Sequence, residues 1–212
     1  MKTLALIAVA ALASTASAGF FEDFNAGGAF PWDVVDYNGN SAVLGWDYNY
    51  NIFDGADPRG NFSSGDGGAA HVDTDAVGSG GAGPYDIAIV SPWASVNGDY
   101  MLEYILNFQA IGDALAVEIT TDGTNWDVVR LYDDEDYGDF PTYPYNIDEA
   151  KGWADSYDLS AYAGQDVRVQ FRYVGDGWNW FAQVDNIRLG AVPAPGALAL
   201  LGLAGLIGRR RR

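Results

Sequence analysis

The stretch DYMLEYILNFQA, Asp99 to Ala110, decides the class of fold. Tyr100, Leu102, Tyr104, Leu106 and Phe108 recur at every second position, with Glu103, Asn107 and Gln109 among the residues between them. A period of two sends alternate side chains to opposite faces of an extended chain, so this is a strand with one face in a core. DALAVEIT (113–120) repeats the pattern with Leu115, Val117 and Ile119, and DVRVQFRYV (166–174) sets Val167, Val169, Phe171 and Tyr173 against Arg168, Gln170 and Arg172. No comparable period of 3.6 runs between the two chain ends.

Outward from these runs the punctuation is that of turns. The chain has 27 Gly, and SSGDGG (63–68), AVGSGGAGP (76–84) and TDGTN (121–125) separate the apolar segments. ITTDGTNWDVV (119–129) reads as a hairpin, because Asp122-Gly123 suits a tight turn and Trp126 starts the return strand. Many strands, each apolar on one side, predict an all-β fold: a two-sheet antiparallel β-sandwich of jelly-roll type. In WFAQVDNIRLG the pattern slips, since Ala182 and Val184 share one parity and Ile187 and Leu189 the other. Such a slip predicts a β-bulge at Asp185-Asn186, which would re-aim the Asp185 carboxylate.

The two ends are of a different kind. Residues 1–18 have Lys2, an apolar run from Leu4 to Leu12, and Ala16 and Ala18 at a cleavage junction, which reads as a secretory signal peptide. Residues 19–191 are then the sandwich domain, and 192–212 a tail. In the tail Gly196 to Gly208 contains only Gly, Ala, Leu and Ile. As a helix it would span roughly 20 Å against a bilayer core of about 30 Å, so it is short for a stable anchor. Five of the 11 basic residues lie in these ends, whereas all 29 acidic ones lie between them, 24 of them Asp. That balance leaves no basic surface for nucleic acid and favours cations as partners. With no cysteine and one histidine, His71, thiolate zinc and multi-histidine sites are excluded.

The tail, with Val192, Pro193 and Pro195 ahead of the apolar run and Arg209 and Arg210 opening an arginine cluster, resembles the PEP-CTERM sorting signal of exported bacterial proteins. Ala194 departs from the Glu of that motif. The resemblance implies recognition by an exosortase-type sorting enzyme, a transient inner-membrane anchor, and delivery to the cell surface or extracellular matrix. The arginine placement agrees with the positive-inside rule. In the domain, FFEDFNAG (20–27), DIAIVSPW (86–93), VEITTDGTNWDVV (117–129), DLSAYAGQDVRVQFRYVG (158–175) and WFAQVDNIRL (180–189) come in an order that resembles the choice-of-anchor J, cleaved-adhesin and MAM-like jelly rolls. That resemblance implies a non-catalytic binding or adhesive module. It also implies a Ca2+ ion shared between first and last strands, with Glu22, Asp23 and Asp185 as the matching acids.

Other constellations are weaker. DDEDYG from Asp133 fails as an EF-hand, because Tyr137 fills a ligand position and Pro144 stands where the bidentate Glu belongs. HVDTD offers Asp73 and Asp75 to a metal, but a solvated strand end explains them better. The segment from Tyr132 to Tyr157 mixes acids with Tyr143 and Trp153, a combination that would let rings stack on sugar faces or pack back as a compact loop. No Gly-x-Ser-x-Gly elbow occurs, and the five Glu include no close pair on one strand face. The expectation is a calcium-stabilised, non-catalytic extracellular module whose partner is a polysaccharide or a surface protein. The alternative is a carbohydrate-active protein, either a sugar-binding module or a glycosidase.

Overall fold

The computed structural model describes residues 18–26, 29–39, 45–47, 68–74, 83–108, 112–133, 152–177, 179 and 181–191. Residues 1–17, Tyr143 and the sorting tail from Val192, with Pro193, Pro195, Arg209 and Arg210, lie outside them. The described residues contain no α-helix, only a short 3-10 turn at Ser160–Tyr162.

Among the described residues eleven strands form two antiparallel sheets. The first sheet runs β1 (Phe20–Glu22), β11 (Phe181–Ala191), β6 (Tyr100–Phe108), β9 (Trp153–Asp158), with β3 (Ala70–Asp73) beside β1 on the free edge of β11. The second runs β2 (Asp33–Asp36), β4 (Tyr85–Val90), β10 (Asp166–Gly175), β7 (Ala114–Thr120), β8 (Asp127–Tyr132), with β5 (Ala94–Ser95) also on β10. The alternations expected for β6, β7 and β10 are present: their apolar sets meet between the sheets, as in the Tyr104–Phe171 and Phe108–Tyr173 ring contacts at 5.1 and 6.0 Å. Removal of these apolar faces from water is the main force holding the layers, on the order of 2 kcal/mol for each large side chain.

The hairpin between β7 and β8 turns on Asp122 and Gly123, the latter at φ 74°. Asp122 Oδ1 accepts from the amides of Thr124 and Asn125 at 2.8 and 2.7 Å, which holds its carboxyl below the usual range. The return strand starts at Asp127, one residue after Trp126. The bulge in β11 lies where the parity slips: Asp185 opposes Ile105 and Arg188 opposes Glu103, so three steps on β11 match two on β6. Asn186 takes up the extra residue at φ 49°, a left-handed conformation that Asn tolerates better than most side chains.

Antiparallel pairing gives the sandwich two poles. At one, Phe20 opposes Leu189, Tyr100 opposes Ala191, and the Tyr100 hydroxyl donates to the Ala18 carbonyl at 3.2 Å. Both ends of the domain therefore leave together. At the other, Ala182 opposes Phe108 and Val174 opposes Ala114, which gathers the β6–β7 and β10–β11 connections.

Candidate functional site

β1 and β11 are neighbours, so the acids expected to share a cation come from adjacent strands. Asp185 is fully buried, and its Oδ1 accepts the Asn186 amide at 2.6 Å across the bulge. Glu22 is opposite Ile187, a core residue, whereas Asp185 shares its parity with Gln183 and Ile105 on the other side of the sheet. Glu22 Oε1 accepts from the amide of Phe24 at 2.8 Å, and Asp23 Oδ1 from that of Asn25 at 3.0 Å. These bonds fold the chain after β1 into a turn in which Phe24 has φ 52°. Burial pushes the Glu22 carboxyl up, with the Phe24 amide opposing and the Asp23 charge adding to the rise. Among the described residues no three carboxylate or imidazole side chains converge on one point. An ion shared here would therefore need backbone carbonyls and water as well.

Trp153 opens edge strand β9 opposite Leu106 and is 38% exposed, so its ring lies half on the sandwich and half in solvent. Two residues on, Asp155 binds across to the second sheet. Its Oδ2 accepts the Tyr132 hydroxyl at 2.5 Å, the Tyr104 hydroxyl at 3.2 Å and Arg130 Nε at 3.1 Å, while the two hydroxyls are 2.6 Å apart. Arg130 also covers the Tyr157 ring at 5.2 Å and donates to the Ser156 carbonyl at 2.8 Å. Burial raises the Asp155 carboxyl, but the bonds from Tyr132, the Ser156 amide and Arg130 outweigh it and hold the group below the usual range. Both tyrosines are driven well above theirs, by burial first, and stay neutral donors.

The outward face of the second sheet carries polar residues whose burial the sequence pattern does not disclose. Arg168, Gln170 and Arg172 alternate as a solvated face would, yet Gln170 is fully buried and Glu118, beside it on β7, is 4% exposed. Gln170 receives the Tyr37 hydroxyl at 2.7 Å on Oε1 and donates to Glu118 through Nε2. Arg172 grips Asp86 with two bonds of 2.6 Å, lies 3.6 Å from Glu118 and stacks over the Tyr37 ring at 4.7 Å. A planar ring, a guanidinium, an amide and carboxylates thus share one sheet face. The single signal in the sequence was the Glu118 and Gln170 parity; Tyr37, 133 residues from its partner, had none.

His71 lies in β3 rather than in a cleft. It is 2% exposed, its Nε2 lies 3.8 Å from the Asp73 carboxylate, and its ring lies 5.6 Å from that of Phe181. Asp75, its companion in the sequence pattern, is outside the described residues.

No family model matches the chain, and no curated protein does. Solved structures do match. The K1 cleaved adhesin domain of Lys-gingipain from Porphyromonas gingivalis W83 aligns with a TM-score of 0.57 at 15% identity, over 82% of this chain and 99% of that one. The K3 cleaved adhesin domain of the same protein gives 0.56 at 15%, over 81% and 96%, and the K2 domain 0.51 at 19%, over 82% and 99%. The chain shares their fold.

Proposed function

We propose that this protein is an exported, surface-associated binding module that acts by adhesion and not by turnover. What supports the reading most is the correspondence in fold with an adhesin domain along 99% of that domain's length. The sequence agrees, with one histidine, no cysteine and no nucleophile elbow. The leader and the tail carry the export part: residues 1–18 are removed on secretion, and an exosortase-type enzyme reads Val192, Pro193 and Pro195 and releases the chain from its transient anchor. The intact mass of the native extracellular form is expected to lack both ends. Arg212 found on that form would overturn the sorting step.

A polysaccharide is the partner that a specific observation favours. Tyr37 is 42% exposed and stacks on Arg172 over a buried Gln170–Glu118 pair, and Trp153 is a second, separate exposed ring on the edge strand of the other sheet. The test is retention on immobilised polysaccharides and matrix proteins, with released sugar assayed in parallel. Retention without release is expected. Trp153→Ala should weaken polysaccharide retention at an almost unchanged melting temperature. A large fall in stability with retention intact would place that ring in packing alone, and steady release of reducing ends would replace adhesion with a glycosidase. Ca2+ belongs to the same reading: Asp23 with Asp185 would hold it beside the bulge between the first and last strands, Glu22 facing the other side of the sheet, with carbonyls and water completing six to eight oxygen ligands.

A further inference from the structure

We infer that the outward face of the first sheet holds a neutral, hydroxyl-rich ligand, consecutive sugar units of a glycan laid across β1, β11, β6 and β9. This rests on the polysaccharide reading above and names its surface. Strand register sets one row of side chains on that face: Phe21 opposes Arg188, Arg188 opposes Glu103 and Glu103 opposes Ser156. Three strand spacings make the row about 14 Å long, more than one sugar ring. At the end of the row away from Phe21 an open cavity of about 310 Å3 is lined by Glu103, Ile105, Ala154, Ser156 and Asn186. That is the size of a small-molecule site.

Phe21 is 60% exposed, the highest value for a large apolar side chain among the described residues, and a ring held in water gains free energy when an apolar surface covers it. Asn186 supplies the second observation. At φ 49° glycine would be less strained, yet the position carries an amide that lines the cavity, and backbone strain of this kind gathers at ligand sites. The hydrogen bonds of Asn186 and Ser156 run through their backbones, the Asn186 amide N–H to Asp185, the Ser156 N–H to Asp155 and the Ser156 carbonyl from Arg130. Both polar side chains are thereby left for a ligand.

The ligand's charge follows from the pairing. Arg188 is bound to Glu103 and donates to the Ala191 carbonyl, and Arg130 neutralises Asp155 at the cavity wall. The row therefore offers no uncompensated charge to an ion, and a chain of net charge −18 repels polyanions. It offers instead donors and acceptors side by side, a guanidinium, a carboxylate, an amide and a hydroxyl. Sugar hydroxyls donate and accept in turn, and the apolar side of a sugar ring covers Phe21 at one unit and the Ile105 and Ala154 side chains at the next.

Affinity electrophoresis of the full chain in native gels tests the surface with three soluble polymers: hydroxyethylcellulose and dextran, which are neutral, and alginate, a polycarboxylate. Retardation by a neutral polymer and none by alginate is expected. Phe21→Ala and Asn186→Gly are each expected to weaken that binding by about tenfold, through loss of the covering ring and of the amide contacts, at an unchanged melting temperature. Val128→Ser removes a comparably exposed apolar side chain, 56% exposed, from β8 of the other sheet and should leave affinity within about twofold. Native affinity in both Phe21→Ala and Asn186→Gly would overturn this surface while the polysaccharide reading stands on Tyr37 and Trp153. Retardation by alginate alone would overturn the neutral ligand class, and a native chain that none of the three retards would overturn the polysaccharide reading and this surface with it.

Discussion

Tyr104, Tyr132 and Arg130 converge on one oxygen of Asp155, and that oxygen ties edge strand β9 of one sheet to β8 of the other. The pH consequence has a definite sign. Asp155 titrates below its unfolded value, so its contribution to stability is full above about pH 4 and is lost as pH falls toward the lowered folded pKa. Thermal melts between pH 6 and 2.5 are expected to show a steeper acid limb in the native sequence than in Asp155→Asn, which should already be less stable at neutral pH by about 1 to 3 kcal/mol. Parallel acid limbs would show that other carboxylates govern acid unfolding. This cluster was invisible in the sequence, because Asp155 stood in a run read only as an acidic aromatic loop.

At the scale of the element, strands with a core on one side were legible and those at the margins were not. β6 and β10 announced themselves by an uninterrupted period of two, and the bulge in β11 by the slip of that period. β2 and β9 have short, exposed patterns with little apolar alternation, and only pairing to β4 and β6 makes them strands. The bulge itself makes a prediction. At φ 49° a β-branched side chain is strained, so Asn186→Val should lower stability by about 1 to 2 kcal/mol in denaturant melts, while Asn186→Gly should stay close to the native value. Equal losses in both variants would mean that the Asn side chain, and not the backbone, is what the position requires.

Over the whole molecule the chain carries a net charge of −18, and its stability should respond to cations that bind only the folded form. Calcium at a hundred times its dissociation constant would add about 2.7 kcal/mol, and Asp185→Asn should abolish most of that gain while chelation lowers the native melting temperature. An unchanged melt with and without calcium at low ionic strength would remove the ion from the account. The expected acids Glu22, Asp23 and Asp185 could be named from the sequence because they sit in recognisable runs. The gathering of Asp113, Asp133 and Asp176 around one open depression at the pole remote from the chain ends could not, since they become neighbours only through strand register. The adjacency of β1 and β11 bears on how the molecule carries load. Held through the residues after Ala191 and gripped at the far pole, the chain would be pulled along β11, about 33 Å from end to end. β11 lies between β6 on one side and β1 and β3 on the other, so its hydrogen bonds would be loaded together, in shear. Pulled by its own two ends instead, the same domain would part at Phe20 and Leu189 and open like a zip, one pair at a time. A tether at one terminus alone is therefore the arrangement under which this sandwich resists force best.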